Sequence, residues 1–167
     1  MIFLTVGTQF PFDRLVRAVD EIVDQGILDG DVFAQIGGSS YQPRNFEAVT
    51  TLAKEDFDTQ IRKSTALISH AGMGSITVAL DNDKPLLVMP RRKQYGEVVN
   101  DHQVAIAREF GRLGCVLVAQ DEQELPAVVS SLHGFKPAER ATQPEAVATR
   151  ISKFLEAMCD NHKEKSV

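Results

Sequence analysis

Cysteine is scarce in this sequence, and that scarcity excludes one class of small protein. The chain has 167 residues and two cysteines, Cys115 and Cys159. Two cysteines cannot form the set of disulfides that holds a small secreted domain together. A chain of this length also buries roughly 70% of its unfolded surface, so its core needs no covalent support. We therefore expect reduced thiols and a cytoplasmic location.

Long apolar segments and an excess of positive charge are also missing. The longest uninterrupted apolar stretches have four or five residues, as at 86–89, whereas a transmembrane helix needs about 20. Residues 1–6 contain no cationic leader, so we do not expect a signal peptide. Lysine and arginine number 18 against 23 acidic residues, and this net charge of −5 disfavours general binding to nucleic acid.

The remaining pattern is a regular alternation of short apolar runs and amphipathic segments. The runs predict strands at residues 2–6, 32–36, 48–53, 66–69, 86–89 and 116–118. Apolar residues at helical spacing predict helices at residues 12–25, 57–64, 75–80, 97–110, 122–132 and 144–158. Such an alternation is typical of a parallel sheet covered on both faces. We predict a doubly wound, Rossmann-like α/β domain of about six parallel strands at residues 1–159, with a polar tail at 160–167.

In a doubly wound sheet, ligands bind beyond the carboxyl ends of the strands, which directs attention to four loops. These loops follow predicted strands at residues 7–10, 37–40, 70–75 and 90–103. In the first two loops, Gly7, Thr8 and Gly37 could contact a phosphate, or the glycines could simply form turns. The convergence of four such loops on one edge is typical of a ligand cleft.

The segment Ile68-Ser-His-Ala-Gly-Met-Gly-Ser75 is the most informative part of the chain. A buried strand ends there, Gly72 and Gly74 permit a tight turn, and a helix begins near Ser75. A helix amino terminus presents unpaired N–H groups and partial positive charge, for which phosphate is the natural ligand. Ser75 can add a hydroxyl and His70 an imidazole N–H. Glycine turns alone often bind nothing, but the complete string is much more specific.

Three other patterns do not support a cofactor or metal site. Gly72-Met-Gly74 begins a dinucleotide-binding G-x-G-x-x-G pattern, but Thr77 stands at its sixth position. Asp81-Asn-Asp83 matches the D-x-D of metal-dependent sugar transferases, but it precedes Pro85, where a helix end and a turn explain it more simply. The four histidines lack the ligand spacing of a zinc site. We expect no cofactor and no tightly bound metal.

A second polar segment follows the predicted strand at 86–89. Its cations Arg91, Arg92 and Lys93 could face an anionic substrate, an acidic partner surface or only solvent. Asp101 and Gln103 combine hydrogen-bond acceptors and donors suited to adjacent sugar hydroxyls. The same two side chains could equally well cap a helix, so the sequence leaves both interpretations open.

Taken together, these segments resemble the carboxyl-terminal domain of glycosyltransferase family 28, the donor-binding half of the two-domain GT-B architecture. The resemblance covers nearly the whole chain and includes the V-G-T start, the Q-I-G strand end, the I-S-H-A-G-M-G-S turn, the M-P-R-R strand end and the N-D-H-Q cluster. The chain looks most similar to the stand-alone soluble subunits of split bacterial exopolysaccharide and capsule transferases. It is also similar to the soluble subunit of the dolichol-linked N-acetylglucosaminyltransferase.

The resemblance implies a site for a UDP-sugar. The nucleotide diphosphate would contact residues of three loops, namely Gly7, Thr8, Gly37, His70, Gly72, Met73, Gly74 and Ser75. The donor sugar would lie near Arg91, Asp101, His102 and Gln103. Phe57 would border the uracil. Val78 stands where many family members carry a ribose-binding glutamate, and Glu97 is the candidate substitute.

The resemblance also implies an inverting transfer of a sugar to a lipid-linked acceptor in polysaccharide biosynthesis. His70 and Ser75 would stabilise the leaving UDP. No catalytic base is evident in the sequence, so we expect it on a membrane-associated, amino-terminal-type partner subunit at the cytoplasmic face. Without that partner the chain could form a homodimer. The alternative is a nucleotide-binding or regulatory module without transfer activity.

Overall fold

The computed structural model describes residues 1–28 and 30–138 and confirms the predicted alternation of strands and helices. The strands are β1 (Ile2–Thr5), β2 (Val32–Gln35), β3 (Glu47–Val49), β4 (Ala66–His70), β5 (Leu86–Met89) and β6 (Leu117–Val118). The α-helices in these ranges are α1 (Asp13–Asp24), α2 (Lys54–Lys63), α3 (Met73–Asp81), α4 (His102–Arg112) and α5 (Leu125–Val129). None of the helices in the described ranges has the length and apolarity needed to cross a bilayer.

The six strands form one parallel sheet in the order β3-β2-β1-β4-β5-β6. The chain therefore begins at the centre, builds outward to β3, and crosses back to β4 before it builds to the other edge. The strand order reverses between β1 and β4, where the loops that follow the two strands diverge. Such a switch point opens a crevice at the carboxyl edge of a doubly wound sheet.

Two apolar layers cover the sheet, because successive strand residues point to opposite faces. Leu4 packs in the cluster that contains the buried residues of α1 and α5, whereas Phe3 packs in the cluster that contains those of α2, α3 and α4. The helical stripe predicted for α1 is confirmed, and its buried apolar residues are Leu15, Val16, Ala18, Val19 and Ile22. The strands are continuous apolar runs because both of their faces are covered.

Some predicted boundaries differ from the structure. The helix predicted at 97–110 begins at His102 instead, because Glu97 turns into the protein and Asn100 Oδ1 accepts the His102 N–H. The helix predicted at 57–64 begins earlier, at Lys54, where Ala53 is still extended. The segment predicted at 122–132 forms α5 and a separate 3-10 turn at Leu132–Gly134. The predicted helix at 144–158, the boundary at 159 and the tail at 160–167 lie outside the described residues.

A partly buried ion cluster around Arg14 of α1 fixes the loops that follow β5 and β6. The Arg14 guanidinium donates to both carboxylate oxygens of Glu97, at 2.8 and 2.9 Å, and to Glu122 at 2.8 Å. It also donates to the Pro90 carbonyl and lies over the Tyr95 ring at 4.6 Å. Bidentate pairing gives this contact a fixed geometry, so the loops are held in register with α1.

We expect Glu97→Ala to lower the free energy of unfolding by about 1–2 kcal/mol, because it removes the bidentate partner of a partly buried cation. Glu122 remains beside Arg14 and limits the loss. The matched control is Glu109→Ala, which breaks an exposed pair with Arg112 and should cost less than about 1 kcal/mol. Urea denaturation of both variants measures the difference, and equal losses would contradict the structural role of Glu97.

Candidate functional site

A cleft of about 700 Å³ opens at the carboxyl ends of β1 and β4, at the switch point of the sheet. Its walls come from the loop after β1, the turn between β4 and α3, the first turn of α4, and the region around α2. The location agrees with the expected position of a ligand site in this class of sheet. The cleft therefore contains residues from segments that are far apart in the sequence.

The imidazole of His70 lies between two glycines at the base of this cleft. A methyl group on Gly72 would stand 2.1 Å from His70 Cε1, and one on Gly7 would stand 3.0 Å from Nε2. His70 Nε2 lies 3.3 Å from Ser75 Oγ, and Nδ1 is buried without a hydrogen-bond partner in the part of the chain that is described. Burial, and then the positive charge of Arg91, lower the pKa of His70 to about 4. The imidazole is therefore neutral at physiological pH.

The amino terminus of α3 forms one wall of the cleft. Gly72 precedes the helix in an extended conformation, and no side chain among the described residues caps the first turn. The N–H groups of Met73, Gly74 and Ser75 therefore have no intrahelical acceptor. All three residues line the cleft. An anion at this position would meet unpaired donors and the positive end of the helix dipole.

Arg91 adds a buried positive charge beside the turn. Its side chain is nearly inaccessible, and its guanidinium donates to the backbone carbonyls of Val6, at 2.7 Å, and Phe10, at 2.6 Å. Its backbone N–H donates to Gln103 Oε1 at the start of α4. Burial lowers the pKa of Arg91 to about 10, but it remains a cation at neutral pH. Since its hydrogen-bond acceptors are neutral carbonyls, the charge adds to the positive potential of the cleft.

Another part of the cleft lining is mainly apolar. Leu52, Phe57, Val78 and Ile106 line it, and Lys54 supplies one cation at its rim. The Phe57 ring packs edge-on against Phe3 of the core at 5.4 Å. A flat, partly apolar group such as a nucleobase suits this side, whereas the turn at α3 suits an anion.

Most of the predicted site residues meet in this cleft. The residues that line it as predicted are Gly7, Thr8, Phe57, His70, Gly72, Met73, Gly74, Ser75, Arg91, His102 and Gln103. The structure does not bring Gly37, Glu97 or Asp101 into the lining. The sequence identified the loops correctly, but it could not show which side chains within them turn inward.

The three residues outside the lining have other structural roles. Gly37 packs against the loop after β1. A methyl group on Gly37 would lie 2.7 Å from the Gly7 carbonyl oxygen, so this close packing requires glycine. The Glu97 carboxylate is occupied by Arg14 and by the Arg92 N–H, which leaves it unavailable to replace a ribose-binding glutamate. Asp101 Oδ1 accepts the Lys93 N–H at 2.8 Å.

The structure also places the remaining arginines and the two aspartates that the sequence singled out. Arg91, considered as a contact for an anionic sugar, is instead committed to loop carbonyls. Arg92 donates to the Gln120 carbonyl at 3.0 Å. Asp81 and Asp83 stand where α3 ends, and Asp83 has a left-handed backbone with φ of 51°, which agrees with the predicted turn.

Sequence reasoning missed several lining residues. Leu52, Lys54, Val98 and Ile106 contribute to the cleft, but each appears in the sequence as an ordinary core or surface residue. Gln35 also lines the cleft, and its Oε1 is buried without a partner in the described part of the chain. A polar residue at the end of an otherwise apolar strand was the only signal for this side chain.

The lining contains no carboxylate among residues 1–28 and 30–138. Nor does any group of three or more His, Cys, Asp or Glu side chains in those ranges have the geometry of a metal site. The ionisable side chains that do line it are Lys54, His70, Arg91 and His102. The described cleft is therefore suited to an anionic ligand and offers no acidic side chain as a proton acceptor.

We expect Gly72→Ala to raise the pKa of His70 from about 4 towards 6.5, because the new methyl group pushes the imidazole out of its buried position. The backbone at Gly72 has φ of −85°, which alanine adopts without strain. The control is Gly38→Ala, where nothing lies within 4 Å of the methyl position. An NMR titration of His70 measures the pKa, and an unchanged value in Gly72→Ala would contradict this packing.

The Gly72→Ala substitution also tests how the pKa of His70 affects the free energy of unfolding. Because the unfolded histidine titrates near 6.5, the unfolded state binds its proton at a higher pH than the folded state does. The free energy of unfolding should therefore fall as the pH drops from about 6.5 to about 4, by up to about 1.4 kcal/mol per pH unit. Gly72→Ala should weaken this dependence, and Gly38→Ala should leave it intact.

Comparison with known sequences identifies relatives that share this domain. The model of the glycosyltransferase family 28 C-terminal domain matches residues 1–158. The UDP-N-acetylglucosamine transferase subunit ALG13 of Mus musculus is 28% identical, over 90% of this chain and 15% of its own length. The subunit of the same name from Cryptococcus neoformans is 36% identical, over 63% of this chain and 50% of its own length. The chain thus spans half or less of the curated relatives it matches.

Solved structures show the same fold. The NMR structure of ALG13 superposes with a TM-score of 0.58 at 23% identity, covering 86% of this chain and 91% of that one. MurG of Acinetobacter baumannii gives 0.56 at 20% identity, covering 79% of this chain and 40% of that one. This α/β domain therefore has the architecture of one half of a GT-B enzyme. With its family model matched from residue 1 to residue 158, the chain belongs to the glycosyltransferase family 28 C-terminal domain family.

Proposed function

We propose that this chain is the donor-binding subunit of a two-component glycosyltransferase that uses a UDP-sugar. The observation that carries the proposal is the uncapped amino terminus of α3, which stands in the cleft beside His70 and the buried cation Arg91. A diphosphate matches this arrangement because it is an anion that accepts several hydrogen bonds at once. The apolar side around Phe57 then takes the uracil.

The contribution of this chain to the reaction is stabilisation of the leaving group. When the sugar departs from a UDP-sugar, negative charge develops on the β-phosphate. The N–H groups of Met73, Gly74 and Ser75 belong to residues that line the cleft beside the His70 imidazole, and we propose that they meet this charge. Donors fixed before the reaction stabilise such charge without reorganisation at the moment of transfer. We propose that this occurs without a metal, since helix donors and Arg91 supply the positive potential.

The acceptor side of the reaction belongs to a second subunit. The described lining offers no carboxylate to take the proton of an attacking hydroxyl, and neutral His70 is enclosed between two glycines. We therefore propose that a membrane-associated partner supplies the base and holds a lipid-linked acceptor at the cytoplasmic face. The exposed side chains of Phe10 and Met73, at the rim of the cleft, provide apolar surface for this contact.

Relatives named as subunits of a UDP-N-acetylglucosamine transferase agree with a divided enzyme. We propose that the pathway served is the assembly of a polysaccharide, such as an exopolysaccharide or a capsule. Because Arg91 is committed to backbone carbonyls, the cleft offers no specific reason to prefer an acidic donor sugar over a neutral one.

We expect UDP to bind the isolated chain with the same affinity in EDTA as in magnesium, because the helix donors replace a metal. Ser75→Ala should reduce the binding free energy by about 1 kcal/mol, because it removes the hydroxyl that positions the His70 imidazole at the base of the cleft. The control is Ser130→Ala, an exposed serine whose hydroxyl bonds only the Ala127 carbonyl. Calorimetry measures all four conditions. Loss of binding in EDTA would contradict the metal-free site.

We expect no sugar transfer from the chain alone and transfer once the partner is present. The test combines the purified chain, a UDP-sugar and a lipid-linked acceptor, with and without a co-expressed membrane subunit. His70→Ala in the same complex should slow turnover because the imidazole dipole beside the leaving group is lost. Rapid transfer by the isolated chain would overturn the two-component proposal. UDP binding with no transfer in any complex would favour a regulatory nucleotide-binding module.

A further inference from the structure

A chain of three hydrogen bonds links the sheet to the imidazole at the base of the cleft. Ser69 is fully buried at the end of β4, and its hydroxyl lies 2.6 Å from the Thr5 carbonyl of β1. The Ser69 and Ser75 hydroxyl oxygens are 2.9 Å apart. Ser75 Oγ is in turn 3.3 Å from His70 Nε2. Ser69 does not line the cleft and is not part of the proposed diphosphate site.

The number of available protons fixes the donor in each of these three hydrogen bonds. A hydroxyl carries one proton, and a carbonyl oxygen can only accept. The Ser69 proton must therefore go to the Thr5 carbonyl, and the proton shared between the two serines must come from Ser75. Ser75 then has only lone pairs left for His70, so the imidazole must donate through Nε2–H. This proton order is an assignment from the hydrogen-bond network.

We propose that Ser69 is a positioning residue that holds His70 in its Nε2–H tautomer. The reason is that Ser69 presents only a lone pair to Ser75, which draws the Ser75 proton away from the imidazole. If that proton turned to Nε2 instead, the Nε2 lone pair would accept it. The buried Nδ1 would then carry the imidazole proton with no acceptor at hydrogen-bonding distance in the described surroundings. Gln103 acts on this imidazole, but its Oε1 already accepts the Arg91 N–H, so this arrangement is the costlier one.

The tautomer matters for an anion in the cleft, and this part rests on the proposed function. Nε2 lies between Gly7 and Ser75, which both line the cleft next to the α3 amino terminus. The Nε2–H donates to Ser75 Oγ, so it acts on a phosphate oxygen as the positive end of a dipole beside the cleft, whereas a lone pair at the same atom would repel that oxygen. Gln103, Arg91 and His102 also act on this imidazole, but they do not change the donor count at Ser75. The Ser75 hydroxyl thus acts on the diphosphate through His70.

The first test reads the tautomer directly and needs no ligand. We expect the ¹⁵N NMR shifts of His70 at pH 7.5 to report Nε2–H alone in the native chain. Ser69→Ala should add a second, Nδ1–H population, because the Ser75 proton loses its acceptor. Ser69→Cys keeps the size of the side chain and offers only a weak acceptor, so it should act in the same direction and serves if the alanine variant does not fold.

The matched control for this test is Ser64→Ala. Ser64 is a buried serine whose hydroxyl bonds a backbone carbonyl, that of Ile61 at 2.8 Å, away from the cleft. It should leave the His70 shifts unchanged. Nδ1–H as the main form in the native chain, or an unchanged tautomer in both Ser69 variants, would overturn the proposal. A tautomer change in Ser64→Ala would also overturn it, because the effect would then be general to buried serines.

The second test is a double-mutant cycle on UDP affinity measured by calorimetry. Ser69→Ala should weaken UDP binding two- to tenfold in the native background and have no further effect in Ser75→Ala, since Ser69 acts only through Ser75. Equal effects in both backgrounds would show a merely structural role and overturn the proposal. If no variant binds UDP, the proposed function fails, while the tautomer measurement still decides the assignment for Ser69.

Discussion

The buried guanidinium of Arg91 is the contact on which the shape of the cleft depends. It joins the loop after β1 to the loop after β5, because it donates to carbonyls of the first while it belongs to the second. The backbone N–H of Arg91 also donates to Gln103 Oε1 at the start of α4. Arg91 and the carbonyls of the first loop, those of Val6 and Phe10, are more than eighty residues apart in the sequence. One side chain thus joins loops that are distant in the sequence.

Two neighbouring arginines illustrate how the protein distributes charge. Arg14 is surrounded by Glu97 and Glu122, so its charge is neutralised within the fold. Arg91 has only backbone carbonyls within hydrogen-bonding distance, so its charge remains uncompensated by direct pairing in the part of the chain that is described. Because the cleft lies beside Arg91, the positive potential falls where the α3 amino terminus also points. Both arginines therefore join loops, but only Arg91 does so through neutral carbonyls and leaves its charge unpaired beside the cleft.

His70 connects this electrostatic arrangement to the packing of the sheet. The imidazole is neutral because it is buried beside a cation, and it fits only because Gly7 and Gly72 lack side chains. A neutral imidazole must present either a proton or a lone pair at each nitrogen, so its hydrogen-bond partners decide what a ligand encounters. At Nε2 that partner is the Ser75 hydroxyl, which in turn contacts the Ser69 hydroxyl.

The sequence by itself determined the class of fold, the loops that form the cleft and the glycine turn at its base. These features follow from local patterns, since apolar periodicity specifies strands and helices, and glycines mark turns. Only the tertiary structure decided the roles of Glu97, Asp101 and Gly37, which the sequence placed in the site. Glu97 is equally suited to a ribose hydroxyl and to a guanidinium, and Arg14, eighty-three residues away, determines which one it meets. The strand order likewise depends on long-range pairing, because periodicity shows that a strand is buried but not which strands are its neighbours.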